Sequence, residues 1–154
     1  MKMMLLSLAA MALSAAPAMA ASAAPQTPEV KAVMEMVDAW NKLDLDRIVN
    51  DFTEDGVLHS MMIEPIKGRE AIRKQLAPLI AGSTRIDLRI KNTAQVGKTV
   101  FIERVDDFDF KGLHGAVPVV GVLEIENGKV KVWREYYDRA ELLTALGMMP
   151  EKKN

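Results

Sequence analysis

The sequence predicts an α+β fold, with helices laid over one side of a curved sheet whose strands pair in antiparallel or mixed fashion. Three observations carry this expectation. Apolar residues recur at helical spacing in two early stretches, Pro28 to Phe52 and Arg69 to Ile80. From Arg85 onward they alternate instead, as in Ile86, Leu88 and Ile90 against Arg85, Asp87, Arg89 and Lys91. Finally, Asn127-Gly128 lies between two alternating runs, the signal of a two-residue type I′ hairpin.

Composition bounds the function. With 154 residues, 49% hydrophobic and 27% charged, the chain suits one globular domain. A formal net charge of −1, with no long run of one sign, argues against a nucleic-acid surface. The absence of cysteine excludes disulfides, thiolate nucleophiles and thiolate metal sites. The two histidines, His59 and His114, lie far apart in sequence, and no cluster has metal-ligand spacing. Neither a metal nor an organic cofactor is therefore expected. No phosphate loop, Gly-x-Ser-x-Gly elbow or dinucleotide fingerprint is present.

The N-terminus reads as a targeting segment. Met1-Lys2-Met3-Met4 is weakly basic, Leu5 to Ala16 is apolar, and Ala18-Met19-Ala20 fits a small-x-small cleavage site. The apolar run falls short of the roughly 20 residues a membrane span needs. The expectation is a signal peptide over residues 1–20, cut after Ala20 or alternatively after Ala24; a retained anchor helix is the competing reading. This implies a periplasmic or secreted protein with no membrane association after processing. A linker (residues 21–26), one domain (27–149) and a loose tail (150–154) complete the organisation.

Thr27-Pro28 looks like an N-cap followed by a proline at the first helical position, opening a helix with Val30, Val33, Met34, Val37, Trp40 and Asn41 on one stripe. That stripe reads as core, Trp40 included. Leu43 to Phe52 suits a short second helix capped by Asp44 or Asp46. Thr53 to Gly56 is a turn signal, and Val57 to Ile63 a strand carrying His59 and Ser60. Pro65 to Gly68 closes it. Arg69 to Ile80 is an amphipathic helix weakened at Pro78. Arg85 to Val96 is a half-buried strand, followed by a turn at Gly97-Lys98. Gly112 and Gly115 mark a loop around His114, with Pro118 at the start of the next strand. Across the hairpin, a two-residue loop pairs Glu126 with Lys129, Ile125 with Val130, Glu124 with Lys131 and Leu123 with Val132. Strict alternation then makes one face wet at Lys129 and Lys131 but aromatic at Trp133 and Tyr137, which a bulge or strong curvature would explain. Arg139 to Leu146 is a short terminal helix.

Chemistry concentrates on the strand Thr99 to Phe110. One face carries Val100, Ile102, Arg104, Asp106, Phe108 and Phe110, so two adjacent charges interrupt an apolar row. Charge on a core face is costly unless paired. The pattern fits either a polar site at the floor of an apolar pocket or a structural ion pair.

The residues Phe101-Ile-Glu-Arg-Val-Asp106, Gly121-Val-Leu with Gly128-Lys129, and Trp133-Arg-Glu-Tyr-Tyr-Asp138 together resemble the limonene-1,2-epoxide hydrolase family, within the NTF2-like (SnoaL-like) cone folds. Gly68-Arg-Glu70 and the Trp40 helix fit the broader fold. The resemblance implies an NTF2-like cone and a hydrolase that opens a small hydrophobic epoxide with water, in one step, to a diol. It maps the family's Arg-x-Asp pair onto Arg104 and Asp106, and its second carboxylate, an aspartate, onto Glu135. The family's water-holding tyrosine and asparagine fall near Leu58 and Ser60, with His59 beside them.

One-step opening needs an acid for the epoxide oxygen and a base for the attacking water. Asp106 is assigned as acid, Glu135 as base and Arg104 as the bridge. Leu58, His59, Ser60, Ile102, Phe108, Trp133 and Tyr137 are the expected substrate- and water-binding residues. A ketosteroid-isomerase-like isomerase and a non-catalytic module for a small hydrophobic ligand remain alternatives. Apolar residues on both faces of the last strands, including Val120, Val122 and Trp133, point to a homodimer packed through sheet faces, as does the resemblance.

Overall fold

The computed structural model describes residues 26–149, so the expected signal peptide and the tail lie outside the described residues. The chain runs α1 (Pro28–Asn41), α2 (Leu45–Asn50), β1 (Phe52–Ser60), β2 (Ile66–Lys67), α3 (Arg69–Gly82), β3 (Ser83–Val96), β4 (Thr99–Phe110), β5 (Leu113–Glu126), β6 (Lys129–Tyr136) and α4 (Arg139–Ala145). The strands form one six-stranded sheet in the order β2-β1-β6-β5-β4-β3. The sheet is mixed, because β1 and β6 run parallel while the other neighbours are antiparallel. The expected α+β architecture is therefore the observed one.

The helices begin where their caps dictate. The Thr27 hydroxyl accepts from Val30 N–H, with Pro28 just inside the helix. Asp44 rather than Asp46 caps α2, its carboxylate accepting from Arg47 N–H. Helix α2 is shorter than the Leu43 to Phe52 expected: Leu43 has φ 55, and Phe52 already belongs to β1. Helix α3 continues through Pro78 to Gly82 and buries Ile72 and Leu76.

Three readings of turn residues need correction. Thr53 to Gly56 is not a turn ending the helix but an irregular part of β1: between the pairs Phe52–Val130 and Val57–Val132, four β1 residues face one β6 residue. Strand β1 also stops at Ser60 rather than Ile63. The turn before β5 is only Lys111-Gly112, with φ of 48 and 81. His114 and Gly115 already pair with Asp109 and Phe108, and Pro118 lies inside β5, opposite Val105. Gly115 is small because a Cβ there would sit 2.6 Å from the Phe108 ring.

The hairpin register holds for its first two pairs, Glu126–Lys129 and Ile125–Val130, and then shifts. Glu124 pairs with Val132 and Leu123 with Trp133, so Lys131 is an extra residue that meets Asp55 instead. Because side chains alternate faces, one inserted residue exchanges the two faces beyond it. The bulge turns Trp133 and Glu135 inward and Arg134 and Tyr136 outward, which resolves the wet-to-aromatic change along β6. Trp133, 1% exposed, then stacks on Phe52 at 6.3 Å and meets the edge of Trp40 at 6.1 Å. It belongs to the core, not to the outer sheet face expected to pair two copies.

The turn that anchors this register has Asn127 and Gly128 at φ 51 and 75, as type I′ geometry requires. Gly128→Ala is expected to destabilise the fold by about 1 kcal/mol, since a Cβ disfavours the left-handed region. Urea unfolding checks this; no loss would mean that the hairpin register is set elsewhere.

Candidate active site

The side chains facing the helices enclose a cavity of about 170 Å³. Leu76 and Leu79 of α3, Leu142 of α4 and Leu146 beyond it form its apolar walls, with Ile86 and Leu88 of β3 and Val117 and Val119 of β5. The polar floor is made by Arg104, Asp106 and Glu135, with Ser60 and Tyr137 alongside.

Arg104 is 3% exposed. Its Nε donates to Asp106 Oδ1 at 2.6 Å and its Nη2 to Asp106 Oδ2 at 3.1 Å. The same Nη2 donates to both Glu135 carboxylate oxygens at 2.9 Å. One guanidinium thus bridges carboxylates from two strands, with its Cζ 5.5 Å from the centroid of the Trp133 ring. Burial opposes the charge on Arg104, but the fields of Glu135 and Asp106 and the hydrogen bonds to both together outweigh it and hold its pKa above the ordinary value.

The two carboxylates differ in environment. Burial pushes Glu135 from the ordinary 4.5 up to about 7; the Arg104 charge works against that rise and the Asp106 charge adds to it. Burial also raises Asp106, opposed by the Arg104 charge and hydrogen bonds. The Asp106 side chain is 22% exposed against 11% for Glu135, so Asp106 is the more open of the two. A pair of unlike carboxyls, one protonated and one ionised, suits acid–base chemistry at near-neutral pH.

The alternation of β4 places Arg104 and Asp106 as the sequence leads one to expect. The bulge at Lys131 brings Glu135 to them, and Leu58, Ser60, Phe108, Trp133 and Tyr137 also line the cavity. His59 and Ile102 do not. His59 pairs with the outward-facing Arg134, between Leu58 opposite Trp133 and Ser60 opposite Glu135, so strand alternation turns it to the other side. Ile102 shares a face of β4 with Arg104 but is fully buried in the core and does not line the cavity. Trp40, for which the sequence favours core packing over a place in a pocket wall, does both: it packs on Trp133 and lines the cavity. The leucines of α3 and α4 were not among the expected binding residues; their signal was the apolar stripe of each helix. Among the described residues, no group of three or more His, Cys, Asp or Glu is arranged to hold a metal ion.

The raised pKa of Glu135 has a consequence for stability. A carboxyl that titrates higher in the folded state than in the unfolded state binds more protons when folded between the two values, so stability falls there as pH rises. The Glu135 contribution is fully present below about 4.5 and lost as pH rises through about 7. Urea unfolding across that range should show this decline, and Glu135→Gln should flatten it. An unchanged slope in the variant would assign the decline to another group.

Comparison with known proteins places this geometry. The family model of the limonene-1,2-epoxide hydrolase catalytic domain matches residues 27–148. The epoxide hydrolase EphG of Mycobacterium tuberculosis (strain ATCC 25618 / H37Rv) is 25% identical over 115 residues, 75% of this chain and 76% of that protein. In fold, the chain is similar to an LEH-like epoxide hydrolase of M. tuberculosis, with TM-score 0.68 and 23% identity over 77% of this chain and 89% of the other. It is also similar to a putative SnoaL-like polyketide cyclase from Shewanella putrefaciens CN-32, with TM-score 0.71 and 18% identity over 81% of this chain and all of the other (100%). The cone with helices on one side of a curved sheet is thus the NTF2/SnoaL-like fold, and by its matched domain the chain belongs to the limonene-1,2-epoxide hydrolase family.

Proposed function

We propose that the protein opens a small hydrophobic epoxide with water in a single step, giving a diol. The observation that supports this most is the buried Arg104 joined to two carboxylates at the floor of an otherwise apolar cavity. Family membership supports the hydrolase class.

In this reading, Asp106 is the general acid, Glu135 the base and Arg104 the group that orients both. The productive state carries one proton on Asp106 and a negative charge on Glu135. An apolar substrate over Asp106 displaces the water that reaches it, raises its pKa and favours the proton there. Glu135 takes a proton from water as the water oxygen bonds to one epoxide carbon. The bond from that carbon to the ring oxygen breaks, and Asp106 protonates the leaving oxygen. The product retains every atom of epoxide and water; the proton gained by Glu135 returns to Asp106 through solvent.

Holding the water needs further partners. Leu58 offers none. Ser60 and Tyr137 both line the cavity, both carry a hydroxyl, and Ser60 pairs with Glu135 across β1 and β6. They are the groups assigned to hold the water with Glu135, while Phe108 and the leucines of α3 and α4 hold the substrate. No metal or organic cofactor is required. The outer face of the sheet exposes Phe101, Val120 and Tyr136 (37%, 41% and 44%), and it is proposed to pair two copies in a homodimer. Export after removal of residues 1–20 remains part of the proposal.

Diol formation in ¹⁸O-labelled water from a panel of terpene, cyclic and styrene-type epoxides tests the reading. Asp106→Asn and Glu135→Gln should each lower turnover by at least roughly 100-fold while the protein stays folded. Combining them should cost little more, because members of one catalytic unit are not additive. Near-normal opening by Asp106→Asn would remove the assigned mechanism. Isomerisation without label would favour the isomerase, and binding without turnover the ligand-binding module.

The pH profile gives an independent check. The base must be ionised, so activity should rise with pH through about 7. The acid must be protonated, so activity should be lost once Asp106, whose pKa burial raises, has given up its proton. A rate independent of pH from 5 to 9 in steps of one unit, roughly the span over which carboxyls raised by burial titrate, would contradict both assignments.

A further inference from the structure

We infer that Gly121 is a positioning residue for this site: its missing side chain lets Arg104 of β4 reach Glu135 of β6 across the intervening strand β5. The two residues are not neighbours in the sheet. Neighbouring strands lie about 4.8 Å apart, so β4 and β6 are separated by about 10 Å. Arg104 pairs with Val119 of β5, whereas Glu135 pairs directly with Gly121, and Gly121 in turn pairs with Ile102 of β4. The guanidinium therefore crosses β5 at residue 121. A Cβ on Gly121 would lie 2.6 Å from Arg104 Nη1, 3.1 Å from Trp133 Nε1 and 3.1 Å from Ile102 Cγ1.

Backbone geometry does not call for glycine here, because the φ of Gly121 lies outside the left-handed region, unlike that of Gly112 or Gly128. Space calls for it: glycine inside a strand marks a close approach of other groups. Both nitrogens that press on Gly121, Arg104 Nη1 and Trp133 Nε1, are buried without a hydrogen-bond partner among the described residues. The site therefore accepts two unpaired donors while keeping the guanidinium in reach of both carboxylates. Displacing Arg104 would leave Glu135 buried beside Asp106 with its counter-charge weakened, and Arg104 and Asp106 are the charged groups whose fields act on Glu135.

The consequence for turnover rests on the acid–base reading above; the bridge itself rests on geometry. The test is direct ¹³C NMR titration of the Glu135 and Asp106 carboxyls, without substrate, in wild type and Gly121→Ala, with circular dichroism as the folding control. Loss of part of the Arg104 contact should move the Glu135 titration upward by roughly one unit. Gly121→Ala with Ile102→Ala relieves the crowding against Ile102 but keeps the Cβ against Arg104, so it should show the same shift even where the single variant folds poorly. In an Arg104→Gln background, Gly121→Ala should add no further shift.

A folded Gly121→Ala protein whose Glu135 titrates as in wild type overturns the inference, as does an equal shift without Arg104. If the titration moves but wild type opens no epoxide, the bridge stands and the hydrolase reading falls. If wild type is active, the acidic limb of its pH profile should move upward with Glu135 in Gly121→Ala.

Discussion

The buried charge of Arg104 is the constraint from which the rest of the site follows. An isolated guanidinium 3% exposed in an apolar interior would be prohibitively costly. Two carboxylates offset that cost, and both must approach within hydrogen-bond range. Asp106 does so from the same strand, two residues along on the same face. Glu135 must come from two strands away, which demands an inward-facing acid on β6 and a small residue on β5. The Trp133 ring beside the guanidinium supplies a surface that attracts a cation at low desolvation cost. The same burial that makes the cluster expensive raises both carboxyls toward the range where acid–base chemistry operates.

How much of this is legible in the sequence depends on how local each rule is. The alternation of β4 is local, so it alone assigns Arg104 and Asp106 to one face. The caps at Thr27 and Asp44 are local too. The facing of Glu135 is not legible, because it turns on a one-residue bulge at Lys131. Across the hairpin an unbulged register pairs Glu124 with Lys131 and Leu123 with Val132, which is chemically as sensible as the observed pairs. The competition is decided further away, by Asp55 meeting Lys131 and by Trp133 filling the space between Phe52 and Trp40. His59 fails for the converse reason: its residue type attracts attention, but its parity in β1 turns it from the cavity that its neighbours Leu58 and Ser60 line.

Turn residues mislead where packing overrides them. Gly115 and Pro118 read as loop and strand start, yet both lie within β5. Gly115 is there for the Phe108 ring, and Pro118 costs one ladder donor without interrupting the pairing. Thr53 to Gly56 has turn chemistry and is accommodated as an irregularity between β1 and β6. The outer face departs from simple alternation as well. Asp107 points away from the cavity but is only 5% exposed, because Arg85 and Arg89 of β3 cover it. Hydrogen bonding from Arg85 holds its carboxyl below the ordinary range. The two acid–arginine clusters on β4 therefore have opposite character. Asp107 is held ionised by its partners, whereas burial raises Asp106 despite its arginine.

This contrast separates the work of the sheet from that of the helices. The charged groups of the cavity all sit on β4 and β6, whose relative placement is fixed by continuous pairing through β5. The walls that a substrate meets come largely from Leu76 and Leu79 on α3, and from Leu142 on α4 with Leu146 beyond it. Helix α4 has no fully buried residue and packs on the rim, and residues on such an element are the least constrained by the core. Changes there can alter cavity shape without touching the Arg104 bridge, and energetically independent sites change separately. A fold built this way can keep one buried arginine–carboxylate cluster while the apolar walls of its cavity change. Leu58 and Ser60 fall between the two regimes, since both line the cavity while β1 pairs them with Trp133 and Glu135 of β6. In the proposed mechanism the chemistry is therefore least protected at that strand, where an apolar side chain at position 58 offers water no hydrogen bond and Tyr137, just past the end of β6, is the cavity residue proposed to take its place.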